Sequence, residues 1–355
     1  MKNVCIVIRD KRMPFGGGEF EPVISALIGG GYAPDKTVVV PDDDMREFSQ
    51  SLVESKNFYD NIFVIAQPSF VPPLRLRVCD ILQAVIPKGN VIEKGGKLVV
   101  CLPFGGEGAA EAVSALDAKY SVKHDKMVIR AVGASNEKVE RAIEQAKTLC
   151  GDKLQFHFTE KDGDQRLEVL YDNGTPKMLI DDALRVFAEG FGEHAYAVDD
   201  TPLPRRIVEL LRLRGLRLSV AESFTGGSIA AAIVSVPGAS KVLYEGIVAY
   251  DNGAKRRRLG VREDTLAQQG AVSDEAAYEM AAGLIAAGGC DVALSTTGIA
   301  GPSSDGTDKP VGLCYLAVGT KQSVYVYKYN FRGSREEISS RAVNQALYLL
   351  YRQIK

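Results

Sequence analysis

Leu216-Arg217-Leu218-Ser219-Val220 alternates apolar and polar side chains, and Ile229 to Val234 is apolar throughout. The stretch between them, Ala221-Glu222-Ser223-Phe224-Thr225-Gly226-Gly227-Ser228, therefore has to turn a strand into a helix. A helix that starts there opens with N–H groups that have no partner inside the helix, and two glycines let an anion come close to the backbone. One reading is a cradle for a phosphate. The other is a turn closed by its own cap, with no ligand, and the turn alone does not separate the two.

At 355 residues the chain is more than twice the usual domain size, so several cores are expected. Residues 1–122 alternate strand-like segments (Val4–Ile8, Thr37–Val40, Ile62–Ala66, Lys97–Leu102) with helix-like ones, the order of a parallel α/β sheet. The glycine triplets 16–18 and 29–31 fit neither a Rossmann nor a Walker spacing. Asp42-Asp43-Asp44 could offer oxygen ligands to a metal, but a run of this kind before Met45–Leu52 reads better as a helix cap. Residues 123–198 form a more charged α+β module, with strands at 127–132, 154–159 and 166–171 and helices at 135–149 and 177–191. Asp199 to Pro204 marks the boundary to a third domain, 199–355. There Thr201 is expected to cap a helix with Pro202 at its first position. Strand–helix alternation again predicts a layered α/β domain, and Ser334 and Glu337 have capping-box spacing at the start of its last helix.

A net charge of −2 and a single short basic run, Lys255 to Arg258, provide no surface for a nucleic-acid backbone. No stretch approaches membrane-spanning length and the start does not read as a signal peptide, so a soluble cytoplasmic protein is expected. The six cysteines lie far apart and mostly in apolar runs, which predicts reduced core residues rather than disulfides or a zinc site. His124, His157 and His194 are isolated and read as structural.

No histidine follows His194, so a Ser-His-Asp or Cys-His site cannot be built within the last domain. A hydroxyl nucleophile there needs a carboxylate or a lysine of lowered pKa as its base. Lys255 stands beside three arginines that could depress its pKa, although such a charge run also reads as a solvated face. The polar loops 237–240, 296–302 and 303–310 follow predicted strands. In an open α/β sheet such loops gather at the carboxyl ends, where ligands bind, and together they predict a pocket for a small phosphorylated molecule.

Ala-Glu-Ser-Phe-Thr-Gly-Gly at 221–227, Tyr-Asp-Asn-Gly-Ala-Lys at 250–255, Gly-Ala-Val-Ser at 270–273, Thr-Gly-Ile-Ala-Gly-Pro at 297–302 and Lys-Pro-Val-Gly at 309–312 resemble the competence/damage-inducible CinA family. The likeness covers essentially all of 202–355. Two departures stand out: Phe224 where the family usually has Cys, and Asp251-Asn252-Gly253-Ala254-Lys255 where it reads Ser-Asn-Glu-Ala-Lys. The resemblance implies a nicotinamide mononucleotide amidase domain with Ser240 as nucleophile and Lys255 as its base. Ser223, Thr225, Gly226, Gly227, Tyr250, Thr297, Gly298 and Arg335 would hold the nucleotide. It also implies no cofactor or metal, a homodimer, and an N-terminal molybdopterin-binding-like domain. In this chain the loops at 9–15 and 67–72 have lost that domain's usual motifs, so its pyrophosphatase activity is expected to be gone. The rival reading is a non-catalytic nucleotide-binding regulator linked to competence or DNA damage.

Overall fold

The computed structural model describes residues 1–12, 17–304 and 306–355. Met13, Pro14 and Phe15 of the altered loop, Gly16 of the first glycine triplet and Asp305 of the 303–310 loop lie outside the described residues. The chain is mixed α/β and forms two compact units. One comprises 1–127, 147–156 and 168–183; the other comprises 128–146, 157–167 and 184–355.

The N-terminal unit contains β1 (Asn3–Arg9), α1 (Glu21–Gly29), β2 (Lys36–Pro41), α2 (Met45–Phe58), β3 (Asn61–Ala66), α3 (Val71–Leu82), β4 (Val91–Lys94), β5 (Lys97–Pro103) and α4 (Ala109–Tyr120). Its sheet has the order β2-β1-β3-β5-β4, parallel except for β4, which runs against β5. β1 is buried along its whole length because successive side chains enter opposite cores. Val4, Ile6 and Ile8 join Phe48, Leu52 and Val78 on one face, while Cys5 and Val7 join Val23, Leu27 and Leu116 on the other. Asp44 caps α2, its carboxylate accepting from the amides of Arg46 and Glu47, as the sequence predicts.

The central elements are β6 (His124–Val132), α5 (Asn136–Cys150), β7 (Gln155–Lys161), β8 (Asp164–Asp172), α6 (Lys177–Phe191) and β9 (Ala195–Ala197), with strand order β7-β8-β6-β9. His124 Nδ1 lies 2.9 Å from Asp117 Oδ1 and His194 Nδ1 lies 2.9 Å from the carbonyl oxygen of Val132, both structural contacts. All six cysteines are buried and free.

There follow α7 (Leu203–Arg214), β10 (Leu218–Glu222), α8 (Ser228–Val234), β11 (Leu243–Val248), α9 (Asn252–Leu259), α10 (Glu263–Gln268), α11 (Asp274–Ala287), β12 (Val292–Gly298), β13 (Leu313–Thr320), β14 (Val324–Asn330) and α12 (Arg335–Ile354). The sheet order is β11-β10-β12-β13-β14, parallel across the first three strands and antiparallel across the last three. Side chains of α7, α8 and α12 share one core with the sheet, and those of α9 and α11 share the other. Pro202 rather than Thr201 occupies the cap position of α7; proline has no side-chain acceptor, and the amide of Thr201 instead donates to Asp199. Gly215 ends that helix at φ 65°, and Ser334 with Glu337 forms the expected capping box on α12.

Candidate active site

At the end of β10 the chain turns through Ser223 to Gly227 into α8, as the sequence pattern requires. The anion that meets the start of α8 is the protein's own. Glu222 is 1% exposed. Its carboxylate accepts from Thr225 Oγ1 at 2.8 Å and from the amides of Gly227, Ile229 and Ala230 at 3.1, 3.1 and 2.9 Å. Those donors are satisfied internally, which corrects the reading of this helix start as a phosphate cradle. The two turn glycines serve conformation: Gly226 sits at φ 61° and Gly227 at φ 100°. Thr225 is tied by Glu222 and by Thr296 Oγ1 at 2.7 Å, so its hydroxyl holds the turn rather than a ligand. Glu222 lies within the 221–227 motif, and the local signal for this role is a carboxylate that ends a strand just before a glycine turn.

Lys255 comes from the first turn of α9, whose start is capped by Asp251 accepting from the amide of Gly253. That helix has no apolar periodicity, so the sequence pattern leaves it invisible. It buries only Lys255 and Leu259, four residues apart on one face. Lys255 is 2% exposed, whereas Arg256, Arg257 and Arg258 point to solvent and Arg256 pairs with Glu263 at 3.2 Å. Burial holds the Lys255 pKa below its ordinary value, with Asp251 opposing. Desolvation is therefore the cause, and not the neighbouring arginines.

Lys255 Nζ lies 2.9 Å from the carbonyl oxygen of Ala249, 3.0 Å from that of Tyr250 and 3.0 Å from Ser223 Oγ. A neutral amine has two N–H donors and one lone pair. When protonated the amine donates to all three oxygens; in its neutral form the two carbonyls, which can only accept, take both remaining donors, and the lone pair faces the Ser223 hydroxyl. The amide of Ser223 donates to the carbonyl of Thr296 at 3.0 Å, which fixes the serine at the end of its strand.

Ser240 is placed elsewhere. It lies exposed on a single helical turn, Ala239–Lys241, ahead of β11. β10 and β11 are parallel, with Leu218 opposite Leu243 and Glu222 opposite Val248, and the amide of Leu218 donates to the carbonyl of Val242. Ser240 thus precedes the amino edge of this strand pair, while Ser223 and Lys255 follow its carboxyl edge. The strand between spans roughly 13 Å at ~3.3 Å per residue. This corrects the Ser240–Lys255 pairing within one chain: the strand register separates the two residues.

Tyr250 and Arg335 reach the same edge. Tyr250 is 62% exposed, and Arg335 donates to its hydroxyl at 3.1 Å and to the carbonyl of Gly301 at 2.5 Å. Thr297 donates to the carbonyl of Ala271 at 2.6 Å, fastening the 270–273 loop. Gly298 is needed for strand contact, since a Cβ there would stand 2.6 Å from the Cβ of Cys314. A cavity of about 700 Å³ between the end of α9 and α11, lined by Leu259, Arg262, Tyr278, Glu279 and Gly283, includes neither Ser223 nor Lys255. Among the described residues, no group of three or more His, Cys, Asp or Glu is arranged to hold a metal.

The profile of the CinA C-terminal domain matches residues 200–354. A CinA-like protein of Kosmotoga olearia is 36% identical over 352 residues, covering 92% of this chain and 83% of that protein. A CinA-like protein of Thermotoga maritima is 41% identical over 179 residues, covering 50% of this chain and 44% of its own. The crystal structure of competence/damage inducible protein CihA from Agrobacterium tumefaciens is 41% identical, with a TM-score of 0.41, over 42% of this chain and 91% of that one. With motifs at 221–227, 250–255 and 297–302 carried on one sheet edge, and with relatives above 30% identity over more than four fifths of both chains, the chain belongs to the CinA family.

Proposed function

We propose that the chain is an amidohydrolase that converts the carboxamide of nicotinamide mononucleotide to the carboxylate and releases ammonia. Lys255 is the proton acceptor and Ser223 the nucleophile. The observation that carries this reading is the buried contact of 3.0 Å between Lys255 Nζ and Ser223 Oγ, with the carbonyls of Ala249 and Tyr250 as the amine's other two partners. The Ser223 proton passes to the lysine as Oγ attacks the amide carbon. Collapse of the tetrahedral adduct expels ammonia, which takes that proton, and water then hydrolyses the acyl-enzyme by the same route. This sequence needs no cofactor. The choice of substrate follows from the family resemblance. It is supported by Tyr250 and Arg335 at the same strand edge, an aromatic ring and a cation suited to a pyridine ring and a phosphate.

The test is ammonia release from nicotinamide mononucleotide by the purified chain, repeated with Ser223→Ala and Ser240→Ala. Loss in the first and retention in the second, with an acid-quenched acyl adduct on the Ser223 peptide, is the expected result. An adduct on Ser240 would return the nucleophile to that residue and require a second copy of the chain to deliver Lys255. The N-terminal unit is proposed to lack ADP-ribose pyrophosphatase activity, and turnover of ADP-ribose by the chain with any divalent metal would refute that.

A further inference from the structure

We infer that the backbone amides of Phe224 and Thr225 form the oxyanion hole of this site; the inference rests on the amidase reading. Around Ser223 the hydrogen-bonding groups are nearly all accounted for. The Ser223 amide donates to Thr296, its carbonyl accepts from Gly226, the Gly227, Ile229 and Ala230 amides go to Glu222, and the Ser228 amide goes to Thr225. Among the described residues the amides of Phe224 and Thr225 donate to nothing. Yet these residues are only 7% and 2% exposed, and unpaired N–H groups in such settings are rare because each forfeits a hydrogen bond.

Both residues are also fixed in place. The Phe224 side chain is anchored in the core shared with Ile229, Ile233 and Ala300, and the Thr225 hydroxyl is held by Glu222 and Thr296. Donors that cannot reorient are what a developing oxyanion requires. The position of the Phe224 amide agrees with a general feature of strand–nucleophile–helix turns, in which the amide directly after the nucleophile stabilises the tetrahedral adduct. As Ser223 Oγ bonds to the amide carbon, the carbonyl electron pair moves onto oxygen and is met by these N–H groups. When ammonia or, later, the serine leaves, the pair returns to the C=O bond. Glu222 acquires a purpose in this scheme: by satisfying the start of α8 it directs the unpaired donors of the turn to Phe224 and Thr225 alone.

The experiment replaces the Phe224 or the Thr225 amide by an ester, through α-hydroxy acid incorporation in the full chain, so that one donor is lost and the side chain is kept. Each replacement should lower kcat for nicotinamide mononucleotide about a hundredfold and leave KM near the wild-type value. Affinity for a pyridine boronic acid, which forms a tetrahedral adduct on the serine, should fall in parallel. In unaltered protein ¹⁵N-labelled at phenylalanine and threonine, the Phe224 and Thr225 amide resonances should shift when the boronate binds, a readout that needs no variant. Folded ester variants with wild-type kcat, or resonances unmoved by a bound boronate, would overturn the hole. A wild-type chain that releases no ammonia would instead overturn the amidase reading, and this inference with it.

Discussion

The N-terminal and C-terminal sheets each bring parallel strands to a carboxyl edge with charged residues, but the two edges treat those charges differently. After β1 and β2, Lys11 pairs with Asp43 and Arg12 with Asp10, on side chains that are mostly open to water. The Arg12 hydrogen bond holds the half-buried Asp10 carboxyl at about 2, so it simply stays ionised. After β10 and β11, Glu222 and Lys255 are buried, and each has a full set of partners. Exposed pairs contribute little and keep ordinary protonation states. Buried groups pay desolvation, which lowers the lysine's affinity for its proton and fixes its neighbours. The comparison teaches that reactivity here depends less on which charged residues a strand end carries than on whether the fold removes water from them.

The largest expected effect is on catalysis. Lys255→Ala and Ser223→Ala should each reduce kcat at least about a hundredfold, with the double variant little worse than either single one, because the pair acts as a unit. Multiplicative losses in steady-state kinetics would break the pairing. The pH profile sharpens the same point. Lys255 must be neutral to accept a proton and burial lowers its pKa, so kcat/KM should rise with pH through a midpoint below the ordinary 10.5. A profile that falls with pH over that range would exclude lysine as the base.

Removing the buried carboxylate should act on folding as well as on rate. Glu222→Ala strands three amides and leaves Thr225 Oγ1 only its Thr296 partner, and at about 1–3 kcal/mol for an unsatisfied buried donor the C-terminal unit should lose roughly 3 kcal/mol or more. Urea unfolding followed in that unit would measure it, and a loss near zero would mean that water replaces the carboxylate. The smallest effect belongs to the other edge. Asp44→Ala removes a helix cap and should cost the N-terminal unit about 1 kcal/mol while ammonia release is unchanged. An altered rate would show that the two units are coupled.

Much of the fold was legible because its signals are local. The apolar run 229–234, the acidic cap at Asp44 and the Ser334–Glu337 box each depend on a few neighbouring residues and reappear in place, while the strand read at 216–220 reappears two residues later, at Leu218–Glu222, and is buried throughout. α9 was not legible, since its one buried face consists of a lysine and a leucine in an otherwise polar run. By itself the sequence determined the α/β class and, by having no histidine after His194, restricted the base for a hydroxyl nucleophile to a lysine or a carboxylate. Tertiary structure alone decided which hydroxyl faces Lys255 and which anion meets α8. Both depend on the register of parallel strands whose pairing is non-local: it carries residue 223 to the edge where Lys255 is buried, and leaves residue 240 at the other end of the strand.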